Sequence, residues 1–455
     1  MNTPKTFNGK MTRRGFVKNT ANCAISTLAV SFTNPNLIMG ANERINFALI
    51  GCGGRGRWVA RGLIEQGAEL VTLCDLRDER LDKTEEFLQE VLERKPKRVK
   101  EMHRVFENKD VDAVVIATPD HWHALPTVLA CQAGKDVYVE KPHAHSIWES
   151  RKMIEASEKY KRIVQVGTQN RSAPYVLAAK EYIRSGKLGE IGLVKVYNLK
   201  SGRAFFLGEP GTPPADFKWD VWLGPAPQRP YHESIYQHGW LSYWDFCNGD
   251  MSDDGIHQMD LTMLVLGDPD IPSKISSTGG RFVYRDDDAE VPDVQTAIFT
   301  YKDFILDFEM TNYPRYMQKT TTTIRRNDEF PYWTQNATRI EIYGSELLMT
   351  IGRMGGGWQT MTSGGRVIDQ MYGRPPDENH YKNFVECVKN RTEPTADIKI
   401  AHNAFSAIML AVIAHKCGNR TVNFDPVKER FINDPEADKL LKRAARKGYE
   451  IPDSV

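Results

Sequence analysis

The chain has only seven cysteines in 455 residues, with no CxxC pair and no dense cluster. That excludes a disulfide-stapled scaffold and leaves the thiols as core residues of a chain folded in a reducing compartment. Charge of one sign is missing too. Sixty basic and fifty-nine acidic side chains leave a net charge of +1, so no global field gathers nucleic acid or an anionic membrane, and a small neutral partner fits better. No apolar run in the mature part reads as an integral membrane span. Hydrophobic content of 41% and charged content of 26% exclude long-range disorder. A single core seldom serves more than about 250 to 300 residues, so two or three domains are expected.

The first forty-three residues stand apart. "TRRGFVK" at 12–18 is followed by an uncharged stretch, Ala21 to Phe32, giving a positive region and then a short apolar one. This resembles a twin-arginine export signal, which implies passage of a folded protein through the twin-arginine translocase to a periplasmic or otherwise exported address. Ala29 with Ser31, or Gly40 with Ala41, are the small-residue options for cleavage.

"INFALIGCGGRGRWVARGLIEQG" then places Gly51, Gly53 and Gly56 in GxGxxG spacing, with Gly54 and Arg55 between, after an apolar strand at 45–50. Such glycines permit a tight turn and let backbone amides reach a diphosphate at a helix N-terminus. A second strand, Glu69 to Cys74, closes on Asp75, nineteen residues after Gly56. A carboxylate there bonds ribose hydroxyls and repels a 2′-phosphate, favouring NAD, while Arg77 and Arg80 keep NADP open. Strands at 113–117, 136–139 and 163–166 alternate with helices, as in a doubly wound parallel sheet, and Ser146 with Glu149 forms a capping box. Ligands bind outside the carboxyl ends of such strands. Three motifs sit there: "TPDHWH" (118–123), "EKPH" (140–143) and "GTQNR" (167–171). Pro142 is a candidate cis proline. His121, His123, His143 and His145 invite a zinc reading, but no cysteine or second carboxylate motif joins them, and no metal is expected.

These features together resemble the glucose-fructose oxidoreductase, inositol dehydrogenase and MocA family. The resemblance rests on GxGxxG, the strand ending in Asp75, "ATPDHWH", "EKP" and a DxxxHxxD array at 253–260, and it covers essentially the whole mature chain. It implies an α/β protein with an N-terminal Rossmann domain, here 44–170. A C-terminal α/β domain with an open, mainly antiparallel sheet would follow at 171–425, then a charged tail at 426–455. Strand-like runs at 191–200, 274–284, 294–310, 338–351 and 357–368 support that second domain independently. It also implies a homo-oligomer and a sugar or cyclitol substrate.

The resemblance assigns catalysis to Lys141, Asp253 and His257. If "GDMSDDGIHQMDL" is one helix, Asp253, His257 and Asp260 share a face. His257 is the candidate base for a hydroxyl proton, Lys141 the stabiliser of the developing alkoxide, and Asp253 the orienting group. Cofactor contacts are expected from Gly51, Gly53, Gly54, Arg55, Gly56, Asp75, Thr118, Pro119, His121, His123, Glu140, Lys141 and Gln169. Substrate contacts are expected from Asn170, Arg171, Tyr243, Trp244, His257 and Asp260, with His380 a weaker candidate. The aromatic stretch 217–246 suits the CH-rich faces of sugars or a core.

An exported enzyme must carry its cofactor with it and reoxidise it in place. Three readings follow: a sugar or glycoside oxidoreductase with tightly held NAD(H), a redox-neutral glycosidase working through a transient 3-ketone with Tyr243 near the C2 proton, and a non-catalytic sugar-binding protein.

Overall fold

The computed structural model describes residues 44–455; the export-signal expectation lies outside the described residues. Six strands, β1 (Asn46–Ile50), β2 (Glu69–Cys74), β3 (Lys97–Val99), β4 (Ala113–Ile116), β5 (Asp136–Val139) and β6 (Val164–Val166), form a sheet. Their order is β3-β2-β1-β4-β5-β6, and every pair is parallel. "AVVI" and "DVYV" are buried along their whole length, because helices cover both faces of a parallel sheet. The order reverses between β1 and β4, which opens a crevice at their carboxyl ends. β3 was not expected. Its "KRV" is a polar edge strand with no apolar run to announce it.

The helix Ile147–Tyr160 starts where the capping box places it. Ser146 accepts the Glu149 N–H, while the Glu149 carboxylate accepts the His145 N–H at 2.9 Å instead of closing on Ser146.

Ten further strands make the second sheet: β7 (Ile191–Leu199), β8 (Lys274–Gly280), β9 (Val294–Thr300), β10 (Ile305–Thr311), β11 (Arg339–Gly344), β12 (Leu348–Gly352), β13 (Trp358–Met361), β14 (Val367–Met371), β15 (Thr421–Asp425) and β16 (Arg430–Phe431). The order is β14-β13-β12-β11-β7-β10-β9-β8-β15-β16. All pairs are antiparallel except β7 with β10. Three runs expected as single strands are hairpins, turning at Lys302–Asp303, Ser345–Glu346 and Ser363–Gly364. Alternation continues through a tight turn, so period two alone hides the reversal.

One face of this sheet packs on Gly255–Val265 and Ile398–Lys416. The latter is apolar and long enough to cross a membrane, yet 78% of its apolar window is buried inside the fold. It is a core helix. The charged tail at 426–455 is built into the fold: β16 pairs with β15 at the sheet edge, and Phe431, Ile451 and Val455 are buried.

Candidate active site

The turn after β1 is made by glycines that cannot be replaced without collision. Gly51 has φ +92°, and a Cβ on it would lie 2.6 Å from the Ala117 carbonyl oxygen; a Cβ on Gly56 would lie 2.2 Å from the Gly51 carbonyl oxygen. Gly53 and Gly54 face open space, with nothing within 4 Å of an added Cβ. Two glycines therefore pack the turn, and two leave the helix N-terminus bare for an anion. The Asp75 carboxylate accepts from the Cys52 N–H at 2.8 Å and the Arg77 N–H at 3.0 Å. Burial raises its pKa, and those backbone donors pull it back. Its remaining lone pairs suit ribose hydroxyls. The shape and chemistry of this turn fit a dinucleotide.

A cavity of about 560 Å³ opens there, a volume in the range of small-molecule sites. Gly51, Gly53, Gly54, Arg55, Asp75, Thr118, Pro119, His123, Glu140 and Lys141 line it. Asp120 of the TPDHWH motif also lines it, as do Lys100–His103, to which the sequence did not point. Phe217, Trp222, Tyr236, Trp240 and Tyr449 form its other wall. Tyr449, from the tail, sets its ring edge-on to Trp122 at 5.5 Å. Arg443 Nε donates to Glu149 at 2.6 Å, and Arg446 Nε donates to the Gly224 carbonyl at 2.7 Å. The tail thus straps the aromatic wall to the parallel-sheet half. No local pattern near residue 449 signals this; the contact joins segments more than three hundred positions apart.

The "EKP" turn organises the inner end. Arg55 Nε donates to Glu140 at 2.7 Å, so Glu140 fixes the glycine turn to β5. The Lys141–Pro142 peptide is cis. Lys141 Nζ donates to Asp253 Oδ1 at 2.8 Å and to the Asp253 carbonyl at 2.9 Å. Burial lowers the Lys141 pKa, but Asp253, Asp120 and Asp254 outweigh it and hold the ammonium above its ordinary value. Burial opposes ionisation of Asp253 likewise, and Lys141 and Lys200 overcome it and depress its pKa. Asp120 differs: burial and the neighbouring Asp253 push its carboxyl well up.

The single-helix expectation for 253–260 is overturned. One helix ends at Asp253 and another begins at Gly255, with Asp254 between them. The break follows from Asp-Asp-Gly: glycine is a weak helix former, and Arg353 Nη1 holds the Asp254 carboxylate at 3.0 Å. His257 still borders the Lys141 cluster. Its Nδ1 is buried without a hydrogen-bond partner among the described residues. Burial, Arg353 and Lys141 together drive its pKa well below the usual imidazole value, against Asp254. Its neutral form is favoured, beside Asp254, Arg353 and Lys141.

Several expected contacts are elsewhere. Arg171 Nε and Asp260 Oδ1 bond to each other at 2.7 Å, both side chains 1% exposed; a buried cation needs a carboxylate more than a sugar does. Asn170 accepts from the Met354 N–H at 3.3 Å, and Gln169 donates to Tyr138 at 3.3 Å. Tyr243 lies under the Arg229 guanidinium at 4.2 Å, and Trp244 under the Lys416 ammonium at 4.2 Å. The aromatic stretch is mostly a core of its own. His121 is behind the wall, bonded to the Trp222 carbonyl at 3.0 Å, with burial pushing its pKa down to about 3. His380 bonds Ser172 and the Val166 carbonyl, each at 3.0 Å. The other histidines of the two loops bond separate partners, Pro142, Ser150 and Trp244. Among the described residues no group of three metal-ligating side chains occurs.

Comparison with known proteins places this geometry. Residues 45–168 match the oxidoreductase family's NAD-binding Rossmann fold, and residues 207–312 and 355–451 match its C-terminal alpha/beta domain. An inositol 2-dehydrogenase of Rubrobacter xylanophilus is 38% identical over 155 residues, 33% of this chain and 42% of that one. The scyllo-inositol 2-dehydrogenase (NAD(+)) of Bacillus subtilis is 32% identical over 180 residues, 38% of this chain and 48% of that one. The matched stretch therefore spans less than half the length of either relative. The WlbA dehydrogenase of Bordetella pertussis, solved with NADH and UDP-GlcNAcA, superposes with a TM-score of 0.61 at 19% identity, covering 84% of this chain and 99% of its own. At that identity the likeness speaks for the fold alone. With both domain models matched over most of residues 45–451, the chain belongs to the oxidoreductase family of glucose-fructose oxidoreductase, inositol dehydrogenase and MocA.

Proposed function

We propose that the protein is an NAD(H)-dependent dehydrogenase acting on a ring hydroxyl of a sugar, glycoside or cyclitol. One observation carries this: Lys141, from the end of β5, and Asp253, from the C-terminal half, meet at 2.8 Å in the wall of the cavity that begins at the glycine turn. The relatives named for inositol oxidation and the neighbour solved with a nucleotide sugar support the substrate class.

The nicotinamide, when bound, supplies the hydride acceptor. The chain's own residues do the rest. Lys141 Nζ donates to the carbinol oxygen and stabilises the charge that grows there as its proton leaves. His257, neutral and unpaired at Nδ1, takes that proton. Asp253 keeps Lys141 protonated and aimed. Asp75 favours NAD over NADP, since a 2′-phosphate would meet a carboxylate.

The aromatic wall and the tail strap support a cofactor kept through many turnovers. That suits the exported, periplasmic location the twin-arginine leader suggests. It also favours a second reading, a redox-neutral glycosidase in which the hydride returns to the same sugar. The exposed Ile305 and Tyr343 on the outer face of the ten-stranded sheet support self-association.

Anaerobic purification, mass spectrometry of the released cofactor and a panel of sugars and glycosides test the proposal. Bound NAD with stoichiometric growth of reduced-nicotinamide absorbance supports the dehydrogenase. Aglycone release without net reduction supports the glycosidase. Neither, with cofactor present, leaves a binding protein.

A further inference from the structure

Around His257 the C-terminal half gathers more positive than negative charge, although the whole chain carries only +1. Asp254 alone serves three cations: Arg353 Nη1 at 3.0 Å, Lys319 Nζ at 2.7 Å and Lys200 Nζ at 3.7 Å. Lys200 also pairs with Asp250 at 2.5 Å, and Lys141 pairs with Asp253. Four cations thus share three carboxylates. Arg325 adds to the excess: Asp377, the carboxylate that acts on it, already receives Arg55 at 3.4 Å. Burial and Asp253 favour the neutral form of Asp120, and burial with Arg353 and Lys200 lowers the Lys319 pKa against Asp254, so this ammonium in particular lacks a full counter-charge.

Taking cations out of water costs more than shared carboxylates return unless further acceptors arrive. Donors for such an acceptor are in place. Arg353 is 7% exposed at its side chain, and its Nε is buried with no hydrogen-bond partner among the described residues; Arg325 Nε is in the same condition. Lys319 is 39% exposed, so the cluster is open to solvent on that side. The diphosphate of a dinucleotide is provided for elsewhere, at Gly53, Gly54 and Arg55, and Lys200, Lys319 and Arg353 are not among the residues lining that cavity.

We propose that the sugar taken by this site carries an anionic group, a carboxylate or a phosphate, seated against Lys319 and Arg353 beside His257. The inference rests on the reading of His257 and Lys141 as the groups that meet the reacting hydroxyl. It replaces the neutral partner suggested by the bulk charge.

The test is calorimetric titration of the purified protein with its bound dinucleotide, at constant ionic strength, using D-glucuronate, D-glucose 6-phosphate and D-glucose. At least one anionic sugar binds about tenfold or more tightly than glucose. Lys319→Met collapses that difference and Lys319→Arg restores it. Glucuronate preferred marks a carboxylate subsite; glucose 6-phosphate preferred marks a phosphate subsite. Glucose bound as well as both anions, no binding of either anion, or a preference untouched by Lys319→Met overturns the proposal. Reduced-nicotinamide absorbance is followed in the same samples. Charge-selective binding that never reduces the cofactor, across a wider panel of sugar acids, counts against the dehydrogenase and leaves the subsite standing; reduction by glucose without charge selectivity removes the subsite alone.

Discussion

Lys141 and Asp253, 112 positions apart, stand 2.8 Å from each other, and through that one ion pair the strand end that faces the cofactor is joined to the helix break that faces His257. Both side chains are mostly buried, at 17% and 16% exposure. Neither is a surface decoration.

Replacing Lys141 by Met removes the donor to the carbinol oxygen and leaves Asp253 without its main partner. Turnover falls about 10²- to 10⁴-fold, while bound nicotinamide, read by its fluorescence, stays with the protein. A loss below tenfold would assign the oxygen to another group.

The glycine turn separates folding from binding. Gly53→Ala meets nothing within 4 Å, so the melting temperature stays unchanged while the methyl group intrudes where the diphosphate binds, and cofactor content drops. Gly56→Ala meets the Gly51 carbonyl oxygen at 2.2 Å and destabilises by about 1 to 3 kcal/mol through overpacking. Thermal unfolding and cofactor stoichiometry of both variants check this; equal effects would contradict it.

Activity is expected to persist in mild acid. Burial together with Arg353 and Lys141 penalises the His257 imidazolium, so its pKa is depressed, the base is present above that value, and it is lost only as pH falls through it. The acid limb of the turnover profile therefore lies below 6.5, the ordinary imidazole value. A limb at or above it points to a different base.

Arg171→Met tests whether the pair with Asp260 is structural. The change strands a carboxylate that is 1% exposed and costs about 3 to 5 kcal/mol, measured by denaturant unfolding. Unaltered stability with lost substrate affinity would return Arg171 to the site.

Tyr449 holds the tail against the cavity wall. Tyr449→Ala removes an edge-on contact with Trp122 worth about 1 kcal/mol, and release of the bound dinucleotide quickens about fivefold. Stopped-flow displacement by excess NAD measures it, and an unchanged rate would show that the strap does not gate the cofactor.

The parallel sheet was readable because its strands are short apolar runs closed by glycine, aspartate or proline, and each ends near a polar loop. β3 escaped because an edge strand need not be apolar, and the hairpins escaped because alternation does not record a change of direction. The "EKP" lysine and the Asp253 and His257 positions were legible as motifs. That Arg171 and Asp260 bond each other, and that Tyr243 and Trp244 sit against Arg229 and Lys416, was not legible, because residue type and nearness in sequence say nothing about which polar group reaches a buried partner first. Lys319, Arg353 and Tyr449 carried no local signal.

The order of residues alone settled the layered sheet, the glycine turn and the acid that closes β2, since these depend on contacts within a few dozen positions and on the period of apolar side chains. Which charges share Asp254, which aromatic rings wall the cavity, and how the last residues reach back to it were decided only in three dimensions. Ion pairing and ring packing act over a few ångströms between segments tens to hundreds of positions apart, and only the folded chain brings those segments within range.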